Sequence, residues 1–221
     1  MVLSRQLEDY VKGIFVLQGE SETGLVATTA LAKRLKVSSA SVTSMLKKLK
    51  QTKLAQYTPY KGVRLTQGGE KIALEILRHH RLLELYLAEV VGMPWDQVHD
   101  EAEILEHALS EELEAILFEK LGRPKADPHG DPIPADDGTL ETPASTALAE
   151  AEAGTSRKIV RVGNDDPKVL RYLGSLGLIP GVKLEVLEKL PFNGPVKIRV
   201  GDEEHSLGRE LSQEIFVSTS A

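Results

Sequence analysis

Apolar positions along this 221-residue chain fall into two spacings. In LEDYVKGIFVLQ (7–18) they stand at 7, 10, 11, 14, 15 and 17, one face of a helix, and SETG ends the run. Thr28 or Thr29 is placed to cap a short helix over 28–35, and the serines after Val37 to cap another over 37–52, with Val42, Met45, Leu46 and Leu49 at helical spacing. Residues 54–69 predict two short strands around a Pro59–Gly62 turn. Residues 70–92 and 98–122 predict two long helices, the second stopped by Gly122. Residues 123–156 are rich in Pro, Gly, Asp and Ala and predict loop, with PHGDPIP (128–134) ordered and TPASTALAEAEAG (142–154) mobile. Strand patterns then return in RKIVRVG, VKLEVLEKL, VKIRVG and EIFVST, with a helix over 166–178 between the first two. The pattern predicts an α+β chain with no internal repeat.

Charge divides this pattern into blocks. Residues 1–75 hold 12 Lys/Arg against 6 Asp/Glu, residues 76–156 hold 5 against 18, and residues 157–221 hold 10 against 9. Opposite blocks on one chain predict modules with different partners, an anionic polymer for the first and cations for the second. There is no cysteine, which excludes disulfides and thiolate metal sites. MVLSRQLEDY has no apolar signal core, and no apolar run approaches the ~20 residues of a membrane span. The expectation is a cytoplasmic protein with no membrane partner.

Between Thr23 and Gly69 there are nine basic residues and no acidic one. Helix, turn, helix and hairpin in that order is the layout of a winged helix-turn-helix, whose second helix enters a major groove of duplex DNA. Ser38, Ser39, Ala40, Ser41, Thr43 and Ser44 open that helix. Small hydroxyls there admit close approach and donate to phosphates or base edges, while Lys47, Lys48 and Arg64 are placed to pair with phosphates. A solvated basic face is the bland alternative. The absence of acid together with the serine-rich helix start favours DNA. No Arg, Asn or Gln lies in the first turn of that helix, so bidentate base contacts are expected to be few and shape readout to matter more.

VHDEAEILEHALSEE (98–112) poses a different choice. As one helix it places His99, Glu103, Glu106 and His107 inside an arc of roughly 100°. His80 and Glu84 form a further i, i+4 pair upstream. A single His/Glu pair is usually a surface contact. Two sets on successive helices, inside the acidic block, favour a divalent ion that accepts imidazole and carboxylate. The chain has no HExxH, GxSxG or P-loop motif, so a metal-dependent enzyme is the weaker reading. No catalytic residue and no small-molecule substrate are expected.

LRHHRLLELYLAEVVGMPWDQVHDEAEILEHALSEE (77–112) closely resembles the diphtheria-toxin-repressor family of metal-dependent regulators. The resemblance extends through the basic module, PHGDPIP and the C-terminal strands. HRLLE and VHDEA…EH, in this order and spacing, are its specific motifs. It implies a winged-helix domain over 1–72, a helical metal-binding and dimerisation domain over 73–140, a linker over 141–156 and an SH3-like small β-barrel over 157–221. It also implies a homodimer, operator DNA as partner, repression of metal-uptake genes as the usual outcome, and two metal sites per subunit. Carried over, the primary set is Asp9, Glu103, Glu106 and His107. The ancillary set is His80, Glu84 and His99, completed by His129 or Asp127 of the loop, or by Asp165 or Asp166 beyond it. His79 does not match the motif and is expected to pack.

Departures from the family pattern bear on the metal. The iron-sensing branch carries Met at the position of Asp9 and Cys at that of Glu103. Here both are hard oxygen ligands, which implies Mn(II), with Fe(II) as the alternative effector. The manganese branch carries Glu at the position of Lys12, so two separate sites are implied rather than a bridged pair. Without an ion, like carboxylates 4 Å apart cost on the order of 4 kcal/mol per pair at a dielectric near 20, and the first helix is expected to swing or fray.

Overall fold

The computed structural model describes residues 4–219. They form two compact units. The first comprises the described residues through His79, with Glu106–Leu109 and Pro134–Thr139; the second comprises His80–Leu105, Ser110–Ile133 and the chain from Leu140 onward.

In the first unit α1 (Arg5–Gly19), α2 (Thr28–Arg34) and α3 (Ser39–Gln51) lead into β1 (Ala55–Thr58) and β2 (Gly62–Leu65). The hydrophobic spacing explains the packing. Leu7, Tyr10, Val11 and Ile14 of α1 share one buried core with Leu31 of α2, Val42, Leu46 and Leu49 of α3, and Val63 of the hairpin. α3 starts where Ser38 accepts a hydrogen bond from the Ser41 amide at 3.1 Å. α2 begins instead after Ala27 with no side-chain cap, so neither threonine caps it. Lys36 makes the tight turn between α2 and α3 at φ 54°. The strands pair antiparallel, Ala55 with Leu65 through Thr58 with Gly62, and Gly62 is required because a Cβ there would stand 2.8 Å from the Val26 carbonyl oxygen. This is the winged helix the sequence predicts.

α4 follows over Gln67–Tyr86 and continues as a π-helical turn, Leu87–Val91, that Gly92 ends at φ 80°. The helix expected over 98–122 is broken. α5 covers Val98–Leu105, a 3₁₀ turn covers Glu106–Ala108, and α6 covers Glu111–Lys120. The cause lies in the sequence after Ala108. Ser110 accepts from the Leu113 amide at 3.3 Å, and Glu111, Glu112 and Glu114 fill the first turn of α6, where the helix dipole favours acid.

The C-terminal part is a six-stranded antiparallel sheet of order β3-β8-β4-β5-β6-β7. Its strands are β3 (Ser145–Ala147), β4 (Thr155–Val162), β5 (Lys183–Lys189), β6 (Val196–Val200), β7 (Glu203–Leu207) and β8 (Ile215–Ser218). α7 (Pro167–Ser175) and a short α8 (Arg209–Gln213) pack with it. Ile159, Leu170, Leu173, Leu178, Leu184 and Ile198 fill its core. Two strands go beyond the sequence expectation. TPASTALAEAEAG, expected to be mobile, supplies β3, and its Leu148 is fully buried in the same core. β7, EEHSL, lacks the apolar run that marks a strand and pairs at the sheet edge with β6 alone. The chain is α+β, with an N-terminal winged helix, a helical region and a C-terminal antiparallel sheet domain. No helix among the described residues is long and apolar enough to cross a membrane.

Candidate metal centre

Each unit holds its own cluster of imidazoles and carboxylates. In the first, Asp9 comes from α1 and Glu106 and His107 from the 3₁₀ turn. The break before α6 puts Glu106 and His107 off the stripe that a continuous helix would give them. His107 Nδ1 lies 2.6 Å from Glu8 Oε2. Nε2 is the ring's other nitrogen. It is buried, 2.8 Å from Asp9 Oδ1 and 3.5 Å from Glu106 Oε1, yet it makes no hydrogen bond. An imidazole nitrogen and carboxylate oxygens converge here, the donor types that a borderline divalent cation accepts. Glu8 then stands where the outer carboxylate of a carboxylate–histidine–metal triad stands. Glu8→Ala is expected to weaken Mn(II) binding about 10- to 100-fold, measured by competition against a fluorescent chelator. An unchanged affinity rules out the orienting role.

The turn bearing Glu106 is braced. His79, expected to pack, is buried and its Nδ1 lies 3.3 Å from the Glu106 carbonyl oxygen. Lys12 is also buried, and its ammonium donates to both Glu106 oxygens at 2.7 and 2.8 Å.

The second cluster centres on Glu84. Its Oε1 lies 3.0 Å from His80 Nε2 and 3.1 Å from His99 Nδ1, and those two nitrogens are 3.1 Å apart. A triangle with edges near 3 Å is the ligand spacing of an octahedral shell with bonds of about 2.1 Å. Glu84 Oε2 faces the loop, 3.9 Å from His129 Nδ1. Glu84, Asp127 and His129 are all buried and their ligand atoms lie within 4.8 Å of one another. The loop is preformed. Asp127 Oδ1 accepts from the amides of His129 and Asp131, at 2.8 and 3.0 Å. His129 Nε2 donates to the Trp95 carbonyl at 2.8 Å, the ring stacks on Trp95, and Nδ1 is left toward Glu84. Gly130, at φ 88°, lets the loop lie on β4, because a Cβ would stand 2.0 Å from the Val160 carbonyl oxygen. The Val162 amide bonds the His129 carbonyl beside it.

Burial opposes charge throughout this cluster. It raises the Asp127 carboxyl well above its usual range, helped by the charges of Glu84 and Asp131. It pushes Glu84 the same way, but the imidazoles of His80, His129 and His99 outweigh it and hold Glu84 well below the usual carboxylate range. Burial also disfavours a charged His129, yet Glu84 and Asp127 outweigh it and raise that imidazole to about 9.

Three expected assignments fall differently. Glu103, expected with Asp9, Glu106 and His107, stands by His99, its Oε1 3.7 Å from Nε2. It is carried by the last turn of α5, before the chain turns at Glu106. Asp166 is not brought to the cluster: it caps α7, accepting from the Lys168 amide at 2.8 Å. Asp165 is not among the clustered ligands either. Glu8 and Lys12 are the site residues that sequence reasoning misses. Both lie within one helical turn of Asp9, Glu8 at i−1 and Lys12 at i+3, and a search of that turn for partners of the ligands finds them.

The residues expected to meet DNA lie on α3 and the wing. Ser38, Ser39, Ala40, Ser41, Ser44, Lys47, Lys48 and Arg64 are all exposed there, and Thr43 is half-buried. Thr43 donates its hydroxyl to the Ser39 carbonyl at 2.9 Å, so it serves the helix before any ligand. Arg64 is steadied by Gln56 across the hairpin at 2.9 Å.

A winged helix whose first helix carries a carboxylate of a histidine–carboxylate cluster points to a class, the metal-dependent DNA-binding regulators. The comparisons with known proteins agree. Residues 2–63 match the family described as iron dependent repressor, N-terminal DNA binding domain. Residues 66–135 match the iron dependent repressor, metal binding and dimerisation domain, and residues 146–219 match the FeoA domain. The iron-dependent repressor IdeR of Mycobacterium tuberculosis is 29% identical over 95% of both chains. The diphtheria toxin repressor of Corynebacterium jeikeium is 32% identical over 66% of this chain and 60% of its own length. A solved manganese-dependent transcriptional repressor in complex with manganese is 38% identical, covers 96% of this chain and 99% of its own, and superposes with a TM-score of 0.87. The chain belongs to the diphtheria-toxin-repressor family of metal-dependent transcriptional repressors, which are not enzymes.

Proposed function

We propose that this chain is a manganese-responsive repressor whose homodimer binds operator DNA when Mn(II) is bound. One observation carries the reading. The apolar face of α1 is part of the winged-helix core, while the same helix presents Asp9 to Glu106 and His107. Ion uptake therefore acts directly on the DNA-binding module. The first ion is held by Asp9, Glu106 and His107. The second is held at Glu84 by His80, His99, Asp127 and His129, with Glu103 beside His99. A divalent ion supplies the positive charge that turns repulsion among these carboxylates into attraction.

Oxygen and nitrogen donors without sulfur in either set support manganese, as does the likeness to a manganese-dependent repressor at 38% identity. Iron is the second reading, favoured by the full-length likeness to an iron-dependent repressor. Exposed Ile104, Leu105, Leu113 and Ile116 on α5 and α6 support dimerisation through the helical module. The test is binding to duplexes selected from a random library, across Mn(II), Fe(II), Co(II) and Zn(II) at buffered free concentrations. A DNA-binding response to Mn(II) within its physiological free range supports the proposal, and a response to Fe(II) alone replaces it by the iron reading.

The phosphate role of α3 gives a separate expectation. Lys48→Ala is expected to weaken binding to every duplex alike and to lower the slope of log affinity against log salt by about 1. A loss confined to one base position contradicts it.

A further inference from the structure

We infer that Lys12 is a built-in counter-cation of the first metal site, which holds that site closed without an ion and sets how much Mn(II) is needed to displace the contact. The inference rests on the proposed role of Asp9, Glu106 and His107. The observation is the placement of one ammonium. Lys12 Nζ spans both oxygens of Glu106, at 2.7 and 2.8 Å, in a place where the Glu106 side chain has no exposure and that of Lys12 has 10%. Glu106 Oε1 is also the oxygen that faces His107 Nε2, at 3.5 Å.

Two consequences follow from charge and geometry. A buried carboxylate requires a cation, and Lys12 provides one that cannot diffuse away. It lies one turn along α1 from Asp9, and with Glu8 on His107 it ties α1 to the 3₁₀ turn. The first helix is therefore fastened before any metal arrives, rather than left to fray by carboxylate repulsion. The second consequence concerns affinity. An ion bound to Glu106 Oε1 takes an oxygen that the ammonium already engages, and the two cations repel across the shared carboxylate. Each weakens the other by the same factor, because coupling is reciprocal. Lys12 thus lowers Mn(II) affinity and narrows the difference between metal-free and metal-bound protein. A neutral side chain there makes a tighter metal site on a looser metal-free fold.

The experiment uses Lys12→Met, which keeps the buried stem without the charge, and Lys12→Gln, which keeps a donor for Glu106. Mn(II) affinity of the full chain is measured by chelator competition, and the melting temperature with and without Mn(II) and the hydrogen exchange of α1 are read alongside. The expected result is a gain in affinity of about tenfold or more at one site in both variants, with Lys12→Met melting lower than wild type when metal-free. Protection of α1 is expected to persist in metal-free wild type and to fall in Lys12→Met. Unchanged or weaker affinity in both variants overturns the inference alone, provided His107→Ala still lowers uptake by the wild type. If His107→Ala leaves uptake unaltered, the reading of the site fails and this inference with it.

Discussion

Glu106→Gln is expected to abolish the response of operator binding to Mn(II). The variant at saturating Mn(II) should bind DNA no better than chelator-treated wild type, a drop of about 100-fold, at the upper end of ordinary allosteric coupling. The size of the effect follows from where the carboxylate sits. Glu106 is 1% exposed, faces Nε2 of His107 and is gripped by Lys12. Its negative charge is the part of the site that an ion needs and an amide lacks. Gln keeps the shape and one acceptor oxygen, so the fold should survive with a loss of stability of about 3 kcal/mol from the weakened buried pair. Circular dichroism and thermal melting check that the variant is folded, and fluorescence anisotropy on a selected duplex reads the response. A folded variant that still answers to Mn(II) places the sensing ion elsewhere.

The second large expectation concerns Glu84 and the loop. Asp127→Asn together with His129→Gln should reduce tightly bound Mn(II) from two ions per chain to one, measured by dialysis and elemental analysis. The carboxamide oxygen introduced by Asp127→Asn would still accept from the loop amides, so the loop should keep its shape. The pH dependence has a definite sign. His129 is raised to about 9, so at neutral pH in the metal-free protein it holds a proton that an ion at Nδ1 must displace. Second-site affinity in wild type should therefore fall about tenfold for each unit the pH drops below 9. Stability runs the other way. The raised imidazole stabilises the metal-free fold below about pH 6.5, and that contribution disappears as pH rises through about 9. The buried Asp127 carboxyl, also raised, adds to the same loss. Two ions still bound by the double variant, or a flat pH profile in wild type, contradict the assignment.

Much of this is readable in the chain. The winged helix follows from helical spacing over 7–18, 28–35 and 37–52 and from the turn residues around Gly62, because each local preference agrees with the packing. The i, i+4 spacing of His80 and Glu84 and the family motif group them with His99, and the structure closes the three into a triangle. What periodicity hides is the break at Glu106. The apolar pattern continues through Ala108 and Leu109, so it masks the capping power of Ser110, and the family resemblance, not the spacing, puts Glu103 with the residues beyond the turn. Lys12 stands out in the sequence only as a departure from a pattern. Charge along a sequence does not say which carboxylate an ammonium meets 94 positions away. β3 escapes because Ser, Thr and Ala carry little strand signal and pair with β8 through the backbone.

The central claim is that one ion-binding cluster on α1 governs the DNA-binding module. Its most direct test is the affinity of wild-type protein for a selected duplex, by anisotropy, at buffered free Mn(II) and again with excess chelator. The account predicts an affinity that rises by roughly one to two orders of magnitude with Mn(II) and returns to its low value on chelation. Equal affinity in both conditions, with the protein shown to be loaded and then stripped, contradicts it.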